Sequence, residues 1–164
     1  MLRDKSLIPL SHQHQHALAL CVRIDRAQPI PIEDLQAWLV EIERDFAQQI
    51  EIHFSAEETV LFPAAREFPE MIPLVEELIA DHAGLRESFS QASARKMSTE
   101  TLPTFARQLS LHIRKEERQL FERLQQLMTP QQLLSLGLSL EEALNGATQS
   151  CALPNEATKL KARK

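Results

Sequence analysis

The chain predicts an all-α fold, an antiparallel up-down four-helix bundle with a short C-terminal fifth helix. Three observations lead there. Only 3 of its 164 residues are glycine, and long stretches carry Leu, Ala, Glu, Gln and Arg, which favours helices over strands or glycine-rich phosphate loops. Apolar residues recur at alternating three- and four-residue steps through four long segments. The connections between those segments are short, so consecutive helices must run antiparallel. A hydrophobic content of 43% suits one domain with a substantial core, and no room is left for a second catalytic domain.

The first helix is expected from about Leu10 to Ala27, with Leu10, His14, Ala17, Leu18, Cys21 and Ile24 on one stripe, and Gln28-Pro29-Ile30-Pro31 ends it. The second begins near Ile32, where Glu33 and Asp34 suit the positive end of the helix. It lines up Leu35, Leu39, Ile42, Phe46, Ile50, His53, Glu57 and Leu61 before Pro63. The third, from about Glu70 to Lys96, aligns Val75, Leu78, Ile79, His82, Leu85, Phe89 and Ala92, with Pro73 tolerable in its first turn. The fourth follows Ser98 or Thr99 as N-cap and carries Leu102, Phe105, Leu109, His112, Glu116, Leu120 and Leu127. Thr129-Pro130 opens a shorter fifth helix to about Leu144, closed by Asn145-Gly146. Residues 1–146 are thus read as the bundle domain and 147–164 as a flexible basic tail.

The net charge of −5 hides an asymmetry. The last six residues hold four cations, so residues 1–158 carry 14 Lys and Arg against 23 Asp and Glu, a balance of −9. An acidic body argues against nucleic acid as a partner. No run approaches the roughly 20 apolar residues a membrane span needs, and residues 1–16 lack the apolar stretch of a signal peptide. Cys21 and Cys151 show no metal or redox spacing, so the expectation is a cytoplasmic protein with two free thiols.

Chemistry enters through ionisable residues on the apolar seams. His53-Phe54-Ser55-Ala56-Glu57-Glu58-Thr59-Val60-Leu61-Phe62 and His112-Ile113-Arg114-Lys115-Glu116-Glu117-Arg118-Gln119-Leu120-Phe121 share His, Glu, Glu, Leu and Phe at identical offsets. In each copy His and the first Glu are four apart and stack on one helix face, where imidazole nitrogen and carboxylate oxygen converge on one centre. With His14 and His82, every long helix delivers at least one such group to the interior. Two uncompensated carboxylates there would each cost several kcal/mol, so a positive partner is required. Arg86, one turn after His82, offers a non-metal partner for one of them, and a His/Glu hydrogen-bond network without metal is the competing account.

A metal answers the whole pattern. Four imidazoles and two carboxylates without a thiolate suit iron, manganese or zinc, and this nitrogen and oxygen mixture best suits non-haem iron. Carboxylates on facing helices can bridge two ions about 3.5 Å apart. The ferritin-like Glu-x-x-His pair is missing, Tyr is absent altogether, and there is no His-Glu-x-x-His, nucleophile elbow or phosphate loop. His12 and His16 flank His14 at two-residue spacing and cannot share its face, although a later helix start would bring either in. Glu58 and Glu117 are rotated about 100° off the seam and read as rim carboxylates in ion pairs.

These motifs resemble those of the hemerythrin-like HHE cation-binding family. Pro9 to Leu18 is similar to its opening motif, with Gln13 where an acidic residue usually stands. His53 to Pro63 is similar to its His-Phe-x-x-Glu-Glu-x-x-Leu-Phe-Pro motif, Asp81 to Arg86 to its third-helix motif, and His112 to Phe121 to its last. The resemblance implies a non-haem di-iron centre with Glu57 and Glu116 bridging and His14, His53, His82 and His112 as terminal ligands, zinc or manganese being alternative metals. Oxygen-carrying hemerythrins have a fifth His one turn after the third-helix His. Arg86 stands there, which argues against oxygen carriage of the usual kind and leaves sensing, iron handling or stress protection. The reading is a metal-binding module whose ligand is oxygen, nitric oxide or peroxide, with a di-iron oxidoreductase consuming those molecules as the alternative. Oligomeric state is left open, and no sequence feature supplies a second-substrate pocket.

Overall fold

The computed structural model describes residues 2–145; Gly146, Cys151 and the basic tail lie outside the described residues. Every described element is helical. Helix α1 spans Ile8–Arg26 and α2 spans Ile32–Asp45. A wide five-residue turn, Phe46–Ile50, joins α2 to α3 (Glu51–Ala56), and a second, Glu57–Leu61, joins α3 to α4 (Phe62–Arg66), so residues 32–66 form one continuous rod. After a short 3₁₀ turn, Pro69–Met71, α5 runs over Ile72–Ser93. Helix α6 (Thr101–Lys115), the wide turn Glu116–Leu120 and α7 (Phe121–Leu127) make the next rod, and α8 covers Pro130–Leu144.

The wide turns are π-helical: the amide of Phe62 bonds the carbonyl of Glu57, and that of Phe121 the carbonyl of Glu116, each five residues back. One extra residue enters the helix at each. Sequence periodicity expects the second helix to end before Pro63, yet the rod continues to Arg66. The register change at the π turn accommodates a residue that has no N–H to donate. The same insertion rotates the face beyond it. In α7, Phe121 and Leu124 are buried, while Leu127, on the expected stripe, is only partly covered.

The helix starts follow local chemistry. Thr129 and Gln132 form a reciprocal capping box on α8, as Thr129-Pro130 predicts. Ser98 Oγ accepts the amides of Glu100 and Thr101, so the expected cap works although α6 begins at Thr101. Packing pairs α1 with α6 and α2 with α5, while α8 lies against α3 and the Glu57–Leu61 turn. No described helix is long and apolar enough to cross a membrane.

Two separate apolar clusters fill the interior. One gathers Leu20, Ile24, Leu39, Ile42, Phe89, Phe105 and Leu109; the other Leu10, Leu61, Phe62, Leu78, Phe121, Leu124 and, from α8, Leu136 and Leu140. Cys21 belongs to the first, as a small hydrophobe, and burial pushes its thiol up to about 12. Between the clusters lies a layer of buried ionisable side chains.

Candidate metal centre

That layer consists of His14 from α1, His53 from α3, Glu57 at the head of its π turn, His82 from α5, His112 from α6 and Glu116 at the head of the matching π turn. All six are buried, Glu57 and Glu116 at 0% exposure. Four helical rods, each amphipathic on its own, bring to one level the polar positions that interrupt their apolar stripes. Both carboxylates sit where the helix widens, and π turns of this kind recur at functional sites.

The six groups sort into two quartets, His14–His53–Glu57–Glu116 and Glu57–His82–His112–Glu116. Within each, the ligand atoms lie no more than 4.8 Å apart. An ion with bonds of about 2.1 Å spans about 4.2 Å between opposed donors, so a contraction of a few tenths of an ångström closes either set. Both carboxylates belong to both quartets. In the first, His14 Nε2 is 3.2 Å from Glu116 Oε2 and His53 Nε2 3.2 Å from Glu57 Oε1. In the second, His82 Nε2 is 3.3 Å from Glu57 Oε2 and His112 Nε2 3.3 Å from Glu116 Oε1.

These approaches are not hydrogen bonds. All four carboxylate oxygens of Glu57 and Glu116, with Nε2 of His82 and His112, are buried and have no hydrogen-bond partner. Native proteins rarely leave such groups unsatisfied. His14 Nε2 and His53 Nε2 face each other at 2.9 Å. Their opposite nitrogens are committed elsewhere: His14 Nδ1–H donates to Glu117 Oε1 (2.7 Å) and His53 Nδ1–H to Gln13 Oε1 (2.8 Å). When both imidazoles are neutral with their protons on Nδ1, the two Nε2 lone pairs are left to the centre, where a cation can take both. The donor set therefore fits a metal.

The outer nitrogens reveal a ring that the sequence reading misses. Gln13 on α1 holds His53 on α3; Glu58, in the Glu57–Leu61 turn, holds His82 on α5 at 2.8 Å; Asp81 on α5 approaches His112 on α6 at 3.5 Å; Glu117, in the Glu116–Leu120 turn, holds His14 on α1. Three of these contacts are hydrogen bonds that orient a histidine of the next rod, and Asp81 completes the circuit at longer range, His112 Nδ1 having no hydrogen-bond partner. Such partners fix the imidazole's orientation and tautomer and raise its basicity toward a metal. Phe54 stacks on His82 with centroids 3.9 Å apart and Phe121 on His14 at 5.5 Å, restricting the ring planes further.

Comparison with known families matches residues 9–124 to the hemerythrin HHE cation-binding domain. The chain belongs to that family. Comparison with curated proteins and with solved structures gave no match. As an HHE protein it binds metal cations, and the two quartets fit such a site.

The partners of Arg86, Glu58 and Glu117 decide two sequence readings of the HHE domain. Arg86 does not neutralise a seam carboxylate: it binds Glu58 (Nη1–Oε1 2.7 Å) and Glu51 (Nε–Oε2 3.0 Å) and lies over the Phe54 ring. The non-metal account thereby loses its best cation for Glu57 or Glu116. Glu58 and Glu117 do form the expected rim ion pairs, with Arg86 and Arg3, but they also hold metal-site histidines. His12 and His16 are both exposed and stand outside the two quartets.

Electrostatics agree with a site suited to a cation. Burial opposes charge on His14, yet Glu116, Glu117 and Glu57 together raise it to about 10; burial likewise opposes charge on His82, and Glu116 and Glu57 raise it to about 10. Burial pushes Glu116 up, but His112, His14 and His82 draw it well below the usual carboxylate range, and Glu57 is lowered in the same sense. Without a metal the site thus holds protons where a cation would sit. Burial also works against Glu117, but its bonds to His14 and the Arg3 charge bring it down to about 2.

A cavity of about 390 Å³ reaches the centre from one side. His14, His53, His112 and Glu116 form its floor, whereas His82 does not line it. Access from this cavity is therefore asymmetric and favours the first quartet.

Proposed function

We propose that this protein carries a dinuclear non-haem iron centre, with Glu57 and Glu116 bridging and His14, His53, His82 and His112 as terminal ligands. Through it the protein engages oxygen, nitric oxide or peroxide for sensing, iron handling or stress protection. The observation that carries this reading is that two ligand quartets share both carboxylates. When bound, a redox-active metal pair supplies open coordination positions and electron exchange. The chain's own residues fix the imidazole orientations, keep the Nε2 lone pairs turned inward, and wall the centre with apolar clusters at both ends, leaving the cavity as the open side.

The proposed frame is an antiparallel up-down four-helix bundle over residues 1–146, with a basic tail at 147–164. Its support is the membership of the two apolar clusters: the start of α1, the end of the 32–66 rod, the start of α5 and α7 all contribute to the same one. A cytoplasmic location follows from the thiol and composition arguments.

A second reading, a di-iron oxidoreductase, draws support from the cavity that opens onto the first quartet. Elemental analysis of protein purified without a His-tag tests the first. About two irons per chain, with absorption bands that disappear on reduction, is the expected result. One zinc or manganese would retain the ligands and remove the redox role; no metal, with no stabilisation by added iron, would overturn the assignment. Repeated consumption of oxygen, peroxide or nitric oxide per site, instead of one reversible adduct, would select the enzyme.

A further inference from the structure

The cavity above the first quartet is far larger than a diatomic ligand needs. A water molecule's share of liquid volume is about 30 Å³, so roughly 390 Å³ accommodates about a dozen groups of that size, within the range of organic-ligand pockets. Its walls are apolar: Leu20, Ile50, Phe54, Leu109 and Ile113, all buried, come from α1, the 32–66 rod and α6. The polar groups are concentrated at two levels. The floor is the imidazole and carboxylate layer, and the remaining polar lining includes Glu41, Arg44 and Asp45.

Each of those three charges is answered within the protein, Glu41 by Arg23 from outside the cavity lining. Glu41 is buried and receives both terminal nitrogens of Arg23, at 2.6 and 2.8 Å, and Asp45 lies 3.7 Å from Arg44. A ligand with a net charge would find no free counter-charge there and would lose its hydration along the walls. An apolar body satisfies the walls, and one oxygen satisfies the floor.

We infer that this cavity is a binding site for a neutral organic molecule of about ten non-hydrogen atoms, an aliphatic or aromatic body bearing a single hydroxyl, carbonyl or hydroperoxide oxygen directed at His14 and His53. The site deepens the reading above and rests on the metal only for the orientation of that oxygen. The apolar walls bind the body whether or not a cation is present.

The test uses a series of straight-chain primary alcohols, from butanol to dodecanol, as probes of the full-length protein. Calorimetry or ligand-observed NMR measures affinity in the metal-loaded state and again after chelation. Affinity is expected to rise about fourfold for each added methylene, then level off once the chain fills the cavity. Ala17→Phe on α1 and Ile50→Phe on the 32–66 rod each add bulk to the cavity lining and are expected to weaken the best probe at least tenfold, with metal content retained.

The two variants guard against a folding failure in either one, and thermal melts identify it. Affinity independent of chain length, or no binding by any alcohol, would overturn the inference and leave a solvent-filled channel. Unchanged binding in a folded filled variant would also overturn it. Because the chelated protein is tested alongside, a chain that holds no metal but still binds the alcohols would refute the metal reading and leave this site standing.

Discussion

Replacing Glu116 with Gln separates a metal centre from a metal-free polar core. The amide keeps the size of the side chain and removes the negative charge that both quartets share. In the proposed centre, where Glu116 belongs to both quartets, the variant loses a ligand to each ion. A metal present at about a thousand times its dissociation constant contributes about 4 kcal/mol of stability, and for a chain of this size each kcal/mol shifts the melting temperature by about 2–4 °C. The expected loss is therefore about 8–16 °C when metal is present. After chelation the same change has opposing effects: a buried carboxylate disappears, and His14 and His82 lose a partner for their protons. The shift there should be much smaller. Paired thermal melts, with and without metal, give the difference directly, and metal content per chain should fall in step. An equal shift in both conditions would refute the reasoning, because Glu116 would then be stabilising the fold through protein contacts alone.

The outer ring of partners makes a second prediction: Glu117→Ala, which frees His14 Nδ1, should weaken metal binding about 10- to 100-fold, whereas Gln13→Glu should tighten the first quartet, both read by competition with a chromogenic chelator. Metal binding should also release protons. His14 and His82 titrate near 10 without metal and must bind it deprotonated, so uptake at pH 7.5 should expel about two protons, seen as a dependence of binding heat on buffer ionisation that fades above pH 10. The sign for the metal-free fold runs the other way: both groups are raised, so their stabilisation is complete below about pH 6.5 and is lost as pH rises through about 10. Two glycines test the packing. Gly84→Ala finds nothing within 4 Å and should stabilise α5 by about 0.5–1 kcal/mol, while Gly137→Ala would bring its Cβ to 2.7 Å from Ser6 Cβ and 2.9 Å from Ser6 Cα and should cost about 1–3 kcal/mol, both by denaturant unfolding.

The sequence made the helix faces legible because burial and periodicity speak through the same residues. His14, His53, His82 and His112 occupy positions that leucine takes elsewhere on the stripes, and each is buried. The π turns were not legible. One inserted residue changes the hydrogen bond from four to five residues back without changing composition, so Glu57–Leu61 and Glu116–Leu120 read as ordinary α-helix. Their traces lie downstream, in the passage of the rod through Pro63 and the burial of Phe121 and Leu124. The cavity was equally silent, since its walls are ordinary core residues and only their arrangement leaves the space between them.

The histidine partners were present in the sequence but could not be assigned, because every one of them acts on a different rod. Two spacings alternate around the ring: on α1 and α5 the partner precedes the histidine by one residue, Gln13 before His14 and Asp81 before His82. On the 32–66 rod and the rod of α6 and α7 it follows the bridging Glu by one, Glu58 after Glu57 and Glu117 after Glu116. A step of one residue turns a side chain about 100° away from the seam, toward the neighbouring helix. The duplicated His-x-x-x-Glu-Glu segment therefore encodes two functions at once, its first Glu pointing to the centre and its second reaching the adjacent rod's imidazole. Three members of the ring are carboxylates and Gln13 is an amide, so His53 is the imidazole whose partner carries no charge. His53 also lines the cavity, so an incoming molecule meets the imidazole with the uncharged partner. Ligand access and the uncharged imidazole partner thus coincide in the first quartet, and in the proposed dinuclear centre that is the side on which a ligand would exchange.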